Sequence, residues 1–198
     1  GATEKIFYGD DGSIQTISFD GSSPSTIALS GANFTASVPR PMITFLGKIY
    51  FGNGNNIGEI DSTEAVITGA KLSPALPSGV TVKDLDVTPD GNYLQLTASK
   101  NNNVGFSDAL AANTALATDS YKFLWNGIDD AATYFEEYGG AGLTASHTFG
   151  DKNYALGSDP QGAAIFSHQQ KIVTLPRVTS PFPTAVFTIG NVLGFVSP

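Results

Sequence analysis

A short hairpin pattern recurs along this chain of 198 residues, and it limits the possible folds more than any other feature. In the clearest copy, residues 84–99, two alternating apolar runs flank a Pro-Asp-Gly sequence at residues 89–91. Proline presets one turn residue, aspartate caps the turn and glycine adopts a positive φ. The pattern predicts two antiparallel strands, with Leu85 and Val87 facing a core and Tyr93 beginning the second strand.

Similar hairpins occur at regular intervals and turn near four glycines, Gly47, Gly91, Gly150 and Gly190. The sequence Lys-Ile-Tyr-Phe-Gly at residues 48–52 also nearly repeats Lys-Ile-Phe-Tyr-Gly at residues 5–9, about 43 residues earlier. One interval is longer than the others because it contains residues 99–120. An Asn cluster and an Ala-rich run after Ser107 in this segment are typical of a surface insertion with helical propensity.

A hairpin repeated every 40 to 45 residues or so, with two further strands between copies, is typical of a β-propeller of four-stranded antiparallel blades. We therefore expect residues 1–198 to form a single all-β domain. If residues 5–20 supply the last two strands of a blade that begins at residues 184–196, the ring is small and closed, with about four blades. If residues 5–9 form a second strand, the chain is part of a larger propeller or of a broken arc. A β-sandwich is the alternative fold.

One segment resembles a known class of propeller repeat. Residues 87–94, Val-Thr-Pro-Asp-Gly-Asn-Tyr-Leu, resemble the inner-strand turn of YVTN-type and WD-type repeats. The Gly-His and Trp-Asp dipeptides of the WD class are absent from the sequence, so the resemblance implies the architecture and no functional residue. Strand segments such as residues 121–127 are similar to propeller-like regions of phage and other virion structural proteins.

Composition argues against several classes of function. Hydrophobic residues make up 41% and charged residues 14%, and 22 Gly with 11 Pro supply many turns, which suits an all-β domain. The net charge of −8 and the scattered lysines argue against nucleic acid as a partner. The sequence has no cysteine for a disulfide or thiolate site. Because no apolar stretch approaches the roughly 20 residues of a membrane span, we expect no membrane partner either.

Three aspartates near the main hairpin, Asp84, Asp86 and Asp90, are candidate calcium ligands, since hard cations collect carboxylates from one short loop. Their spacing does not fit, because Thr88 stands where a ligand is needed and Asp90 lies in the turn. We therefore expect turn chemistry and no metal site. The glycine-rich residues 52–58 lead into a strand rather than a helix, so we expect no phosphate-binding loop and no cofactor.

Each of the two histidines follows a serine, as Ser146-His147 and Ser167-His168. Neighbouring residues on a strand point to opposite faces, so neither pair can form a nucleophile and its base. A Gly-x-Ser-x-Gly elbow is also absent from the sequence. The sequence therefore predicts structural or surface histidines rather than a hydrolase triad.

Glu136 and Glu137 raise the possibility of glycoside hydrolysis, which needs two carboxylates that face each other across roughly 5 to 10 Å. Adjacent residues of one element do not meet this requirement. Their segment, residues 129–138, fits an outer strand and a two-turn helix equally well. We expect no catalytic residue in this chain.

The only tryptophan, Trp125, and its neighbour Asn126 are the candidate residues for contact with a ligand or partner, because they lie at a predicted strand end where loops gather. The sequence as a whole favours a non-catalytic structural or protein-interaction module, with other protein subunits or a larger assembly as partners. A virion, extracellular or surface location is favoured over a cytoplasmic one. The alternative function is a carbohydrate-binding or glycan-hydrolysing propeller, with a glycan as ligand.

Overall fold

The computed structural model describes most of the chain, in ten ranges: residues 5–9, 13–28, 34–35, 38–61, 66–100, 120–138, 142–159, 162–174, 185–189 and 192–196. Within these ranges, every regular secondary-structure element is a β-strand. No helix in these ranges has the length and apolar character needed to cross a membrane. Residues 101–119 of the predicted surface insertion, and the predicted turn near Gly190, lie outside the described residues.

The strands form five antiparallel sheets, which we number I to V in chain order. Sheet I contains β1 (Lys5–Gly9), β2 (Ser13–Ser18) and β3 (Ser25–Ala28). Sheet II contains β4 (Met42–Phe45), β5 (Lys48–Asn53), β6 (Asn56–Ile60) and β7 (Val66–Thr68). Sheet III contains β8 (Thr81–Val87), β9 (Leu94–Ser99), β10 (Ser120–Trp125) and β11 (Thr133–Tyr138). Sheet IV contains β12 (Gly142–Phe149), β13 (Lys152–Asp159), β14 (Gly162–Ser167) and β15 (Gln170–Thr174), and sheet V contains β16 (Ala185–Ile189) and β17 (Val192–Val196).

Within every sheet the strands follow one another in chain order, as in an antiparallel meander. Successive sheets pack against each other through their first strands. Strand β8 contacts β4, β5 and β6, strand β12 contacts β8 and β9, and β16 contacts β12. Meandering sheets that pack in this way are the blades of a β-propeller. The predicted all-β propeller is therefore confirmed.

Sheet I starts at the second-strand position of a blade. Phe7, Gly9 and Ile14 of sheet I correspond to Tyr50, Gly52 and Ile57 of sheet II, which lie about 43 residues later. The first set faces sheet II and the second set faces sheet III, so the two sets occupy the same position in successive blades. The prediction that residues 5–20 are the last two strands of a blade is wrong, because β3 continues the sheet beyond β2. The alternative prediction, in which residues 5–9 form a second strand, agrees with this register.

The Pro-Asp-Gly hairpin connects β8 to β9. Asp90 Oδ1 accepts hydrogen bonds from Thr88 Oγ1 at 2.6 Å and from the backbone N–H of Asn92 at 3.2 Å. These bonds lower the pKa of the Asp90 carboxyl, and the bond from Thr88 has the largest effect. Asp90 is therefore a turn residue. The second strand begins at Leu94, one residue later than predicted, because the N–H of Tyr93 still bonds to Thr88 Oγ1 within the turn.

Two other predicted hairpins are present. Gly47, with a φ of 75°, turns the chain between β4 and β5, and Gly150, with a φ of 64°, turns it between β12 and β13. Residues 129–138, for which the pattern allowed a strand or a helix, contain the outer strand β11. Its Tyr134 ring packs edge-on against Phe123 of β10, with ring centroids 6.1 Å apart.

Apolar cores fill the first two interfaces between sheets. Ile14 of sheet I packs with Phe51 and Ile60 of sheet II, and all three are fully buried. Gly58 lets these strands pack, because the Phe51 ring lies where a Cβ of residue 58 would be. The predicted core residue Leu85 contributes to a larger cluster between sheets II and III. The interface between sheets III and IV combines a smaller apolar cluster around Tyr138 and Leu143 with many polar side chains, which are described next.

Candidate functional site

A cavity of about 500 Å³ lies where the first strands β4, β8 and β12 come together. Strand β4 and the residues before it supply an apolar wall. The other two strands supply the polar lining, which consists of Lys83, Asp84, Asp86, Thr144, Ser146 and His147. A cavity of this size is within the range of small-molecule sites, roughly 300 to 1,000 Å³.

Lys83 reaches this wall because strand β8 is irregular. The pairing of β8 with β9 skips Lys83, which lies between Val82 and Asp84 as the extra residue of a β-bulge. Its side chain is only 6% exposed, and its Nζ is buried without a hydrogen-bond partner in the described part of the chain. Burial lowers the pKa of Lys83 to about 8. Lys83 is therefore a buried ammonium group beside a cavity.

Asp84 connects β8 to β12. Its Oδ1 accepts a hydrogen bond from the backbone N–H of Leu85 at 2.9 Å, and its Oδ2 accepts one from the N–H of Ser146 at 2.6 Å. Burial raises the pKa of Asp84 to about 7, against the opposing effect of these two donors, and the nearby Asp86 raises it further. The carboxyl group therefore changes its charge near neutral pH.

Asp86 begins a buried polar network that joins sheets III and IV, which we call the interblade network: Asp86, Asn153, Lys122, Glu136 and Tyr138. Asn153 Nδ2 donates to Asp86 Oδ2 at 3.1 Å, and Lys122 Nζ donates to Asn153 Oδ1 at 2.5 Å. Lys122 Nζ also lies 3.9 Å from Glu136 Oε2, which accepts a 2.7 Å hydrogen bond from the Tyr138 hydroxyl. These contacts lie beside a buried apolar cluster in which the Tyr138 ring packs against Leu143 and Phe166 of sheet IV.

Burial shifts the pKa values in this network. It lowers the pKa of Lys122 to about 8, although the charges of Glu136 and Asp86 oppose the shift. The pKa of the Tyr138 hydroxyl is raised above its usual range, mainly by burial and then by its bond to Glu136. At neutral pH Lys122 is therefore a charged group with polar partners on β11 of its own sheet and on β13 of sheet IV.

The two serine–histidine sequences both lie in sheet IV, one on β12 and the other at the end of β14, with β13 between them. Ser146 and His147 are successive residues of β12, and Ser146 Oγ accepts a hydrogen bond from Thr97 at 2.9 Å. Ser167 Oγ donates to the carbonyl of Asn153 at 3.4 Å. The exposed His168 lies 3.4 Å from Glu136 through its Nδ1. The structure thus brings His168 to Glu136, a contact that the sequence did not predict, and leaves each serine bonded to a structural partner.

The acidic residues considered in the sequence analysis lie on β8, in the turn that follows it and on β11. Asp84 and Asp86 lie on β8 and face sheet IV, whereas Asp90 lies in the turn beyond it. Glu136 and Glu137 are successive residues of β11. Among the residues that the structure describes, no three His, Cys, Asp or Glu side chains are grouped closely enough to hold a metal ion.

Trp125 ends β10 inside the core between sheets II and III. Its side chain is 1% exposed, its ring meets that of Tyr50 edge-on with centroids 5.1 Å apart, and its Nε1 donates to the carbonyl of Asp129 at 2.6 Å. Asn126 is half-buried, and its Oδ1 accepts the N–H of Asp129 at 2.9 Å. No face of the tryptophan ring is open for stacking, so contact with a ligand or partner at this strand end stays a prediction that depends on Asn126.

A second candidate surface lies on the side of sheet I that faces away from sheet II. We call it the outer face of sheet I, and it consists of Ile6, Tyr8 and Ile17, of which Ile6 is 46% and Tyr8 47% exposed. In sheet II the equivalent positions, about 43 residues later, are Ile49, Phe51 and Ile60. There they pack against sheet I, and Phe51 and Ile60 are fully buried. The outer face of sheet I is therefore a blade-packing face that is partly exposed.

The sequence did not identify Lys83, Lys122 or Asn153 as site residues. A signal exists for one of them, because Lys122 stands between two aromatic residues and is the one polar residue of the strand-like run 121–125. Lys83 has no such signal, since its burial depends on a bulge in the pairing with β9. Its position becomes evident only when the strand register is known.

Comparison with known proteins supports the fold. No family model and no curated protein matches the chain. The extracellular domain of the putative one-component system BT4673 from B. thetaiotaomicron is similar, with a TM-score of 0.65 and 11% identity over 98% of this chain and 25% of that chain. The N-terminal domain of Nup159 (TM-score 0.40, 10% identity, 98% and 45% of the two chains) and the computationally designed Ika8 protein (0.43, 10%, 100% and 69%) also match. The first match shows a shared fold, and this chain spans about a quarter of the length of that protein.

Proposed function

We propose that this chain is a non-catalytic structural or protein-interaction module, whose blades pack against another β-sheet blade in a larger extracellular or virion assembly. The observation that carries the proposal is the outer face of sheet I. It repeats the apolar pattern of a buried blade interface, yet Ile6 and Tyr8 are close to half exposed. Large apolar side chains grouped on one surface commonly indicate an interaction site.

The free energy gained by covering the outer face of sheet I can be estimated from the burial of its side chains, as in the equivalent interface between sheets I and II. Full burial of one large apolar side chain stabilises by roughly 1.5 to 3 kcal/mol. Two half-exposed side chains, Ile6 and Tyr8, together with the neighbouring Ile17, therefore gain a few kcal/mol when another blade covers them. Such a gain favours the covered state of this face over the exposed one.

A structural neighbour and one sequence motif support the same proposal. The similar protein from B. thetaiotaomicron is an extracellular domain, and this chain corresponds to about a quarter of it, as expected for some of the blades of a larger structure. The Pro-Asp-Gly corner at residues 89–91 favours repeats of the YVTN type. Partners of this module are then other protein subunits or further blades.

The proposal can be tested with two double variants in multi-angle light scattering, over two decades of concentration around about 10 µM. We expect the wild-type chain to self-associate through its apolar face, and the variant with Ile6→Lys and Tyr8→Lys to remain monomeric. The control carries Phe19→Lys and Ile128→Lys, at positions that are 73% and 82% exposed outside this face, and should behave as wild type. A wild-type chain that is monomeric throughout, or equal association of the two variants, contradicts the proposal.

A second candidate function, a carbohydrate-binding or glycan-hydrolysing propeller, is favoured by the cavity beside Lys83. Its volume of about 500 Å³ has room for a sugar ring, and the carboxylates of Asp84 and Asp86 are suitable acceptors for sugar hydroxyl groups. A glycan array with the purified chain distinguishes the two candidates. Binding of a defined glycan supports the second, and association without glycan binding supports the first.

A further inference from the structure

Lys83 combines three features that rarely occur together. Its side chain is 6% exposed, its Nζ makes no hydrogen bond to any described residue, and it lies in the wall of a cavity. The other fully buried lysine of sheet III, Lys122, has Asn153 and Glu136 as partners. Lys83 therefore differs from a lysine that the fold itself has provided with a counter-charge.

A buried charge without a partner is costly, and proteins usually pair such groups. The pKa of Lys83, about 8, leaves the amine mostly protonated at pH 7. An anion in the cavity would supply the missing partner, and the four-carbon stem of lysine is flexible enough to turn its Nζ towards one. The β-bulge that places Lys83 in this wall is a feature often found next to binding sites.

We propose that this cavity binds a small carboxylate-bearing ligand of the sugar-acid class, whose carboxylate pairs with Lys83. The inference deepens the carbohydrate-binding candidate and is independent of blade association. A carboxylate suits Lys83, whereas Asp84 and Asp86 disfavour further anionic groups and favour hydroxyl donors. Each of these aspartates accepts two hydrogen bonds from the protein, which leaves lone pairs for the hydroxyl groups of a sugar ring.

The test is isothermal titration calorimetry at pH 6.5 with three probes: galacturonate, galactose and acetate. We expect galacturonate to bind at least about 10-fold more tightly than galactose, which lacks the carboxylate, since a charge-assisted hydrogen bond is worth at least that factor. Acetate should bind weakly but with the same dependence on Lys83. If acetate binds as tightly as galacturonate, the carboxylate is recognised without the sugar ring, and the sugar-acid class is wrong.

The Lys83→Met variant should lose at least about 10-fold in affinity for galacturonate. Lys152→Met, which removes the same charge from an exposed position of β13, should bind as wild type. Methionine has a similar length and removes an unpaired buried charge, so Lys83→Met should keep its thermal midpoint, and a loss of binding is then not a loss of folding. Unchanged binding by Lys83→Met, or equal affinity for galactose and galacturonate, overturns the inference.

The pH dependence gives an independent measurement. Affinity should fall as the pH rises above the pKa of Lys83, so that galacturonate binds several-fold more weakly at pH 10 than at pH 7.5. Asp84 and Asp86 of β8 and His147 of β12 also line the cavity, while the lining of β4 has no titratable group. Asp84, whose pKa is about 7, is mostly charged throughout this window, so a constant affinity from pH 7.5 to pH 10 contradicts the role of Lys83.

Discussion

Two buried lysines in sheet III differ in their hydrogen-bond partners, and this difference determines how each of them affects stability. Lys122 donates to Asn153 and lies near Glu136, whereas Lys83 has no hydrogen-bond partner among the described residues. Breaking a buried polar pair leaves the other partner uncompensated, while removing an unpaired buried charge takes away a cost. The same substitution at the two positions should therefore have opposite effects.

We expect Lys122→Met to lower the free energy of unfolding by about 2 to 4 kcal/mol, because it leaves Asn153 Oδ1 without its donor and removes the positive charge beside Glu136. Lys83→Met should leave the free energy of unfolding unchanged or raise it by up to about 1 kcal/mol. Urea denaturation of both variants at pH 7 measures the difference. Equal destabilisation by the two substitutions is the outcome that this account does not allow.

Asp84 should make stability depend on pH. Because burial raises its pKa from 3.8 to about 7, the folded chain keeps a proton that the unfolded chain releases between about pH 4 and pH 7. The free energy of unfolding contributed by this group is therefore present at low pH and lost as the pH rises through 7. The loss is on the order of 1 to 3 kcal/mol once solvent screening is included.

Urea denaturation at pH 5 and pH 7.5 can isolate this effect in wild type and Asp84→Asn. We expect the free energy of unfolding to fall more between the two pH values in wild type than in the variant, whose amide does not titrate. Parallel pH profiles for the two proteins show that Asp84 is not the responsible group.

At the scale of secondary structure, local turn chemistry made the hairpins predictable. Asp90 and Gly91 act within a few residues of each other, so their effect is visible in the sequence. The bulge at Lys83 depends on pairing with β9, and the contact of Asp86 with Asn153 joins residues of different sheets. Such long-range relations have no local signal, so the cavity and the interblade network could not be predicted. The packing of Trp125 against Tyr50 of sheet II is another long-range relation. The sequence therefore predicted an accessible strand end for Trp125, whereas the structure places it in the core.

Side-chain packing between neighbouring strands also determines which glycines tolerate substitution by alanine. A Cβ at residue 58 would lie 2.0 Å from the Phe51 ring, which is itself fully buried, so Gly58→Ala should lower the free energy of unfolding by about 2 to 3 kcal/mol. Gly150→Ala is the control, because a Cβ there meets no atom within 4 Å and only its φ of 64° is unfavourable, at about 1 to 2 kcal/mol. Chemical denaturation compares the two. Equal or reversed effects contradict the proposed packing of Phe51 over Gly58.

At the scale of the whole molecule, blades with the same meander are joined by different chemistry. Apolar residues join sheet I to sheet II and sheet II to sheet III, whereas sheets III and IV are joined by the interblade network together with an apolar cluster around Tyr138 and Leu143. The period of the hairpins predicted the propeller because every blade repeats one local pattern. The register of sheet I remained open in the sequence, because Lys-Ile-Phe-Tyr-Gly fits more than one strand position until β3 and the neighbouring sheet are seen.

Coverage of the outer face of sheet I by another blade can be measured directly with a reporter thiol. Because the chain has no cysteine, a single Tyr8→Cys substitution places one reporter thiol on this face, and Ile128→Cys places one at a control position that is 82% exposed. The measurement is the rate of maleimide labelling in the associated fraction isolated by size-exclusion chromatography. We expect the thiol at position 8 to react at least about 10-fold more slowly than that at position 128, since a covered thiol reacts only when the interface opens. Equal labelling rates would show that the face stays open and would contradict the claim.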